Sequence, residues 1–199
     1  MGMFGPSKDE VWRQLSADLG GEVVERGFWK GSKVRSHVGP WTITLDTHTE
    51  SSGEHSVTYT RMRAPYVNPA EFRFTIYRKG FFSGLGKLLG MQDIEVSDPD
   101  FDEAFVVQGT DEAKIKELFA DPKLLALIGA QPKMRLTVKD SEGWFGPSFP
   151  DGVDELHFQV VGVIKDLDRL KGLFDLFAAV LDRLCEIGSA YREVPGVEL

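Results

Sequence analysis

Residues 41–46 read Trp-Thr-Ile-Thr-Leu-Asp, so apolar and polar side chains alternate at every position. Residues 72–77, Phe-Arg-Phe-Thr-Ile-Tyr, repeat this alternation. A period of two is that of a β-strand with one buried face and one wet face. Turn-forming pairs such as Gly39-Pro40 and Asn68-Pro69 break up this region, and no helical pattern intervenes between its strands. The strands are therefore predicted to pair as hairpins in an antiparallel sheet.

Helices are predicted at both ends of the chain. Ser7 and Glu10 form a capping box, and the apolar spacing that follows predicts a helix over residues 8–19. From Asp166 to Ile187, apolar residues recur at spacings of three and four. This helix is about 32 Å long at 1.5 Å per residue, which is the width of a whole sheet. The predicted fold is α+β: a mainly antiparallel sheet with helices packed on one face and the long C-terminal helix across it.

The chain totals fit one domain in a reducing compartment. The 199 residues suffice for a single core, and we predict one domain over residues 1–199, with a possible internal boundary near residues 90–99. Cys185 is the single cysteine, which excludes an internal disulfide and predicts an inert core thiol on the last helix. No apolar run approaches the roughly 18 residues of a membrane span, and residues 1–6 do not resemble a signal peptide. The predicted localisation is cytoplasmic.

Charge is unevenly distributed along the chain. The net charge of −8 disfavours nucleic-acid binding, because that binding depends on neutralising phosphates. Residues 61–90 nevertheless hold six basic residues against one acidic residue, whereas residues 91–121 hold ten acidic residues against two basic ones. We therefore predict no nucleic-acid partner and look for a local anion site in the basic stretch.

The arginines of the basic stretch are candidate ligand-binding residues. Arg61 and Arg63 share one face of a strand, and Arg73 joins them if the next strand pairs with theirs. Three guanidinium groups on one face suit bidentate binding of a phosphate or a carboxylate. In the alternative interpretation, the basic strands pair with the acidic residues 93–121 inside the fold. The sequence leaves both interpretations open.

Two neighbouring features widen the range of ligands that the sequence predicts. Arg78 and Lys79 precede the apolar segment Phe81–Leu89, a combination that suits a greasy acid or a membrane surface, although packing onto the core is the alternative. Trp144 stands in a long aromatic loop, which predicts either a contact anchor or a lid on the core. The candidate ligand-binding residues are Arg61, Arg63, Arg73, Arg78, Lys79 and Trp144.

A metal site is a weaker hypothesis. His48 alternates with Asp46 and Glu50 on one strand face, and His55 follows the turn. Nitrogen and oxygen ligands at this spacing suit a transition metal, but the stretch also has the composition of a solvated hairpin tip. No cofactor is predicted. His157 is isolated in sequence and is interpreted as structural.

One stretch resembles a known sequence pattern. Residues 98–107, Asp-Pro-Asp-Phe-Asp-Glu-Ala-Phe-Val-Val, are similar to a phrase in bacterial families of unknown function, where a turn leads into a strand and then two helices. The similarity covers about residues 93–130. It implies a bacterial origin and transfers no activity; physically, it places Phe101 and Phe105 in the core.

The function predicted from sequence is non-enzymatic. We predict a module that binds an acidic or amphipathic small molecule, or an acidic protein surface, because no nucleophile motif accompanies the arginines. The alternative is a metal-assisted hydrolase that uses His48 and His55. The oligomeric state is open: the spacing of the last helix also permits pairing with another chain.

Overall fold

The computed structural model of the protein describes residues 6–25, 32–53, 55–80, 92–141, 149–197 and 199. In these residues nine strands form one sheet, and each neighbouring pair is antiparallel. The strands are β1 (Glu22–Glu25), β2 (Ser32–Val38), β3 (Trp41–Ser52), β4 (His55–Val67), β5 (Phe74–Arg78), β6 (Gln92–Asp93), β7 (Phe105–Gly109), β8 (Arg135–Lys139) and β9 (Val153–Val161). Their order across the sheet is β1-β2-β3-β4-β9-β8-β5-β7-β6. The predicted α+β fold with an antiparallel sheet is confirmed.

The described residues also contain five helices. They are α1 (Lys8–Asp18), α2 (Pro99–Ala104), α3 (Glu112–Leu118), α4 (Pro122–Gly129) and α5 (Leu167–Glu186). The predicted capping box at the start of α1 is present. The sequence favours Thr110 as the cap of α3, but the cap is Asp111, whose carboxylate accepts from the Lys114 amide at 3.1 Å. The Thr110 hydroxyl instead accepts from the Arg73 amide, because Thr110 still lies beside the start of β5.

An apolar row runs across the sheet and explains why the helices pack where they do. Strand register aligns one alternate set of residues over eight strands: Val23, Val34, Leu45, Met62, Phe158, Leu136, Ile76 and Val107. Apolar residues from all five helices join this set in a single buried cluster. Since side chains alternate between faces, the helices cover this face of the sheet.

The long helix α5 forms the main part of that cover. Eight of its residues are buried, including Phe174 and Phe177. Two indole N–H groups tie neighbouring elements to this layer: Trp41 donates to Asp182 at 3.0 Å, and Trp12 donates to the carbonyl of Ile164 at 3.2 Å. Cys185, which was predicted to be buried, is half-buried, since it lies at the margin of the apolar stripe.

The late hairpin β8–β9 completes the sheet by entering between β4 and β5. The sequence predicts the last strand from Leu156, but β9 begins at Val153. This earlier start brings Glu155 into the ladder, opposite Pro65 on β4 and Lys139 on β8. The hairpin thus adds charged side chains from the second half of the chain to the arginine strand of the first half.

Candidate functional site

A second row of aligned residues lies on the opposite face of the sheet and is polar throughout. It crosses all nine strands: Glu22, Arg35, Thr44, Arg63, His157, Thr137, Thr75, Gln108 and Asp93. We call this side of the sheet the polar face. Several of its central side chains are buried, among them Arg63 at 2% exposure and His157 at 4%. Buried polar side chains in such number need an explanation beyond the packing of the core.

Asp46 holds two arginines at the first part of the site. Its carboxylate accepts from Arg61 Nε and Nη2, both at 2.8 Å, and from Arg63 Nη2 at 2.7 Å. Asp46 and Arg61 are register partners, and Arg63 lies two residues along the same strand face. Burial alone would raise the pKa of Asp46, but the hydrogen bonds and charges of the two arginines outweigh it and lower that pKa. Asp46 is therefore an ionised, satisfied partner.

Glu155 lies next to this pair in a different state. It is fully buried, and neither carboxylate oxygen has a hydrogen-bond partner among the described residues. Burial raises the pKa of Glu155 to about 7, against the opposing charges of Arg63 and Lys139. The Nδ1 atom of His157 is also buried without a partner, and burial together with the charge of Lys139 holds the pKa of His157 well below its usual value. The ring is therefore neutral at pH 7.

Lys139 and Arg135 supply two further cations on the same strand face of β8. Burial lowers the pKa of Lys139 to about 8, although the nearby Glu155 opposes that change. Burial also lowers the pKa of Arg135, whose Nε atom is buried and unpaired. Neither side chain makes a hydrogen bond or a close ion pair with any residue that the structure describes. We call Asp46, Arg61, Arg63, Arg135, Lys139, Glu155 and His157 the polar-face cluster.

The arginines predicted from sequence do not all meet. Arg61 and Arg63 lie together in the cluster, but Arg73 lies at the end of the sheet, where its guanidinium is 2.8 Å from Asp140 and 3.5 Å from Asp154. These aspartates and Asn68 line a cavity of about 440 Å³. Burial raises the pKa of Asp154, which accepts from the Asn68 amide at 2.6 Å.

The other predicted basic residues lie elsewhere. The Arg78 guanidinium stacks 4.7 Å from the Phe105 ring centroid and donates to the carbonyl of Gly129 at 3.2 Å. Lys79 donates to the carbonyl of Asp102 at 2.7 Å, inside the acidic stretch. Trp144 and the apolar segment 81–89 lie outside the described residues.

The alternative interpretation from sequence pairs the basic strands with acidic residues 93–121, but the three arginines contact other acids in the described structure. The carboxylates that hold Arg61, Arg63 and Arg73 are Asp46, Asp140 and Asp154. None of these three acids belongs to residues 93–121. Strand register decides the pairing, because Asp46 lies directly across the ladder from Arg61, whereas sequence distance carries no such information.

The predicted histidine site lies at the tip of the β3–β4 hairpin. His48 Nε2 is 3.9 Å from Glu50, and both side chains are largely exposed. His55 pairs with Ser52 beyond them, and Glu54 lies outside the described residues. Among the residues that are described, no group of three or more histidine, cysteine, aspartate or glutamate side chains is arranged to hold a metal ion.

Sequence reasoning missed Arg135, Lys139, Glu155 and His157. A signal for the last two is present in hindsight: residues 155, 157 and 159 are polar and alternate with Leu156, Phe158 and Val160. This alternation assigns them to a wet or functional face. What it does not reveal is that the same face carries Arg61 and Arg63, because that depends on β9 pairing with β4.

The similarity of this chain to known proteins is slight. No family model matches the chain, and no curated protein does. A solved structure, the crystal structure of the mycobacterial trehalose monomycolate transport factor A, TtfA, is similar at 9% identity with a TM-score of 0.48. The similarity covers 89% of this chain and 94% of that chain. Among the described residues, no helix has the length and apolar character needed to cross a bilayer.

Proposed function

We propose that the protein is a non-enzymatic binding protein that holds a small acidic molecule on the polar face of its sheet. The observation that carries this proposal is the state of Lys139 and Arg135. Both cations are partly buried, and neither makes a hydrogen bond or a close ion pair with any described residue. A partly buried cation that lacks an ion-pair partner is unfavourable, and a phosphate or carboxylate ligand supplies that partner.

The charges of the cluster favour an anion over a cation. Four cationic side chains, those of Arg61, Arg63, Arg135 and Lys139, lie among two carboxylates. Asp46 is already shared between Arg61 and Arg63. Lys139 and Arg135 are therefore the groups that attract a ligand, and their partial burial strengthens that attraction relative to an exposed surface.

Titration calorimetry with simple acids tests the proposal. The probes are inorganic phosphate, propyl phosphate, glycerol 3-phosphate, butyrate and hexanoate. We expect at least one of these probes to bind. Arg135→Gln and Lys139→Gln should each raise the dissociation constant of that probe about tenfold, because each variant removes one charged hydrogen bond to the ligand. Binding should also weaken with added salt. If no probe binds, or both variants bind like the wild type, the proposal is wrong.

Matched variants separate this site from general charge effects. Arg192→Gln and Lys116→Gln each remove one exposed positive charge that does not belong to the polar-face cluster. Both variants should leave the dissociation constant unchanged. Arg73→Gln tests whether the probe binds instead in the cavity at the end of the sheet. A loss of binding in Arg73→Gln with full binding in Arg135→Gln would move the site to that cavity and contradict the polar-face assignment.

A further inference from the structure

The unpaired carboxylate of Glu155 indicates what the ligand carries besides its acidic group. Glu155 has no exposed surface, and no residue in the described part of the chain donates a hydrogen bond to either of its oxygens. A buried carboxyl group accepts hydrogen bonds in either protonation state, and leaving those bonds unmade is costly. Most buried polar groups in folded proteins have a partner, so a group of this kind points to a donor from a bound molecule.

The neighbours of Glu155 in the described part of the sheet do not supply such a donor. Pro65, its register partner on β4, has no N–H group and no polar side chain to offer. Lys139, its partner on β8, makes no ion pair with it within 4.0 Å. His157, two residues along β9, has its own unpaired Nδ1 atom. Two buried polar groups and one partly buried lysine therefore lie side by side on the polar face without a hydrogen bond among them.

We propose that the ligand is a hydroxylated organic acid, whose hydroxyl group donates to Glu155 while its acidic group binds Lys139 and Arg135. This inference rests on the proposed anion-binding function. A hydroxyl fits better than an ammonium group, because Arg63 and Lys139 both lie close enough to act on the charge of Glu155 and would repel a second cation. A hydroxyl group can also accept a hydrogen bond, so it can pair equally well with the neutral His157 ring or with a protonated Glu155.

Pairs of probes that differ by hydroxyl groups test this assignment. Glycerol 3-phosphate is compared with propyl phosphate, and 3-hydroxybutyrate with butyrate, by titration calorimetry. We expect the wild type to prefer the hydroxylated member of a pair about five- to tenfold, the range of one net hydrogen bond. Glu155→Met, which keeps the volume and removes both acceptors, should reduce that preference to about onefold while keeping the affinity for the plain acid.

Further variants keep the result interpretable. Glu155→Gln retains one acceptor and should keep part of the preference, and it replaces Glu155→Met if that variant does not fold. Glu112→Met changes an exposed glutamate on α3 and should keep the whole preference. A preference that persists in Glu155→Met, equal binding of both members by the wild type, or tighter binding of phosphoethanolamine than of glycerol 3-phosphate would each overturn the hydroxyl assignment but leave anion binding standing. If neither member of either pair binds, anion binding itself fails.

Discussion

Two carboxylates on the polar face show how the immediate surroundings of a residue set its charge. Asp46 accepts three hydrogen bonds from Arg61 and Arg63, and its pKa is lowered. Glu155 is close enough for the charges of the same arginines to act on it but accepts no hydrogen bond from a described residue, and burial raises its pKa to about 7. Charge at a distance therefore does not replace donors in contact, and Glu155 changes its protonation near neutral pH, just below Lys139 with its pKa of about 8.

The raised pKa of Glu155 predicts a loss of stability as pH rises. The unfolded carboxyl titrates near 4.5 and the folded one near 7, so between these values the folded state binds more protons. The free energy of unfolding contributed by this residue is then highest below about pH 4.5, falls from there to about pH 7, and changes by up to about 3 kcal/mol. Urea unfolding of the wild type and Glu155→Gln at pH 5 and pH 7.5 measures it.

The comparison isolates one residue because both proteins share every other titrating group. We expect Glu155→Gln to gain stability relative to the wild type between pH 5 and pH 7.5. Glu112→Gln alters an exposed carboxylate and should track the wild type. A constant difference between Glu155→Gln and the wild type at both pH values would contradict the raised pKa.

Among the elements, α5 shows how one capping residue supports a whole layer. Asp166 lies at its N-cap and accepts from the Arg169 amide at 2.9 Å. The helix carries the cover of the apolar face, so fraying of its first turn exposes Leu170 and its neighbours.

Removal of this cap should weaken the protein measurably. Asp166→Ala is expected to lower the free energy of unfolding by about 1 kcal/mol, because an amide at the helix start loses its acceptor. Chemical denaturation measures the change. Asp175→Ala, in the exposed middle of the same helix, removes the same side chain and should be neutral or slightly stabilising, since alanine favours helix. Equal losses in both variants would show that the cap contributes nothing specific.

The strands show which features of the fold a sequence pattern can predict and which it cannot. Alternation at residues 41–46 predicts β3 and its buried face, because the local period needs no knowledge of partners. The start of β9 was mispredicted because Asp154 occupies a position of the apolar set and breaks the pattern. Asp154 is tolerated there since it lies at the strand end, hydrogen-bonded to Asn68. Glu155, one residue later, was for the same reason not included in the predicted site.

In the whole molecule, strand order determines the site and is also the part the sequence does not reveal. Arg61 and Arg63 were identified from their own strand, but their meeting with Glu155 and His157 requires β9 to pair with β4, about 90 residues away along the chain. Local hairpins follow from turn residues, whereas the insertion of β8–β9 between β4 and β5 depends on the summed packing of the apolar row.

The strand order predicts which strands are most protected from local unfolding. β4 and β9 lie at the centre of the described sheet and are paired on both sides, whereas β1 and β6 are its outer strands. Backbone amides of β4 and β9 should therefore exchange with deuterium most slowly, and those of β1 and β6 fastest. Hydrogen exchange followed by NMR measures both. Equal rates for β4 and β1 would contradict the central position of the arginine strand.

The two aligned rows have a consequence for how this chain can vary. His157 and Phe158 are neighbours in sequence but belong to opposite faces of the sheet. Substitutions in one row touch side chains that those in the other row do not, so their effects should add with little coupling. Ligand preference can then drift, or be redesigned, by exchanging residues of the polar row while the apolar row keeps the fold unchanged.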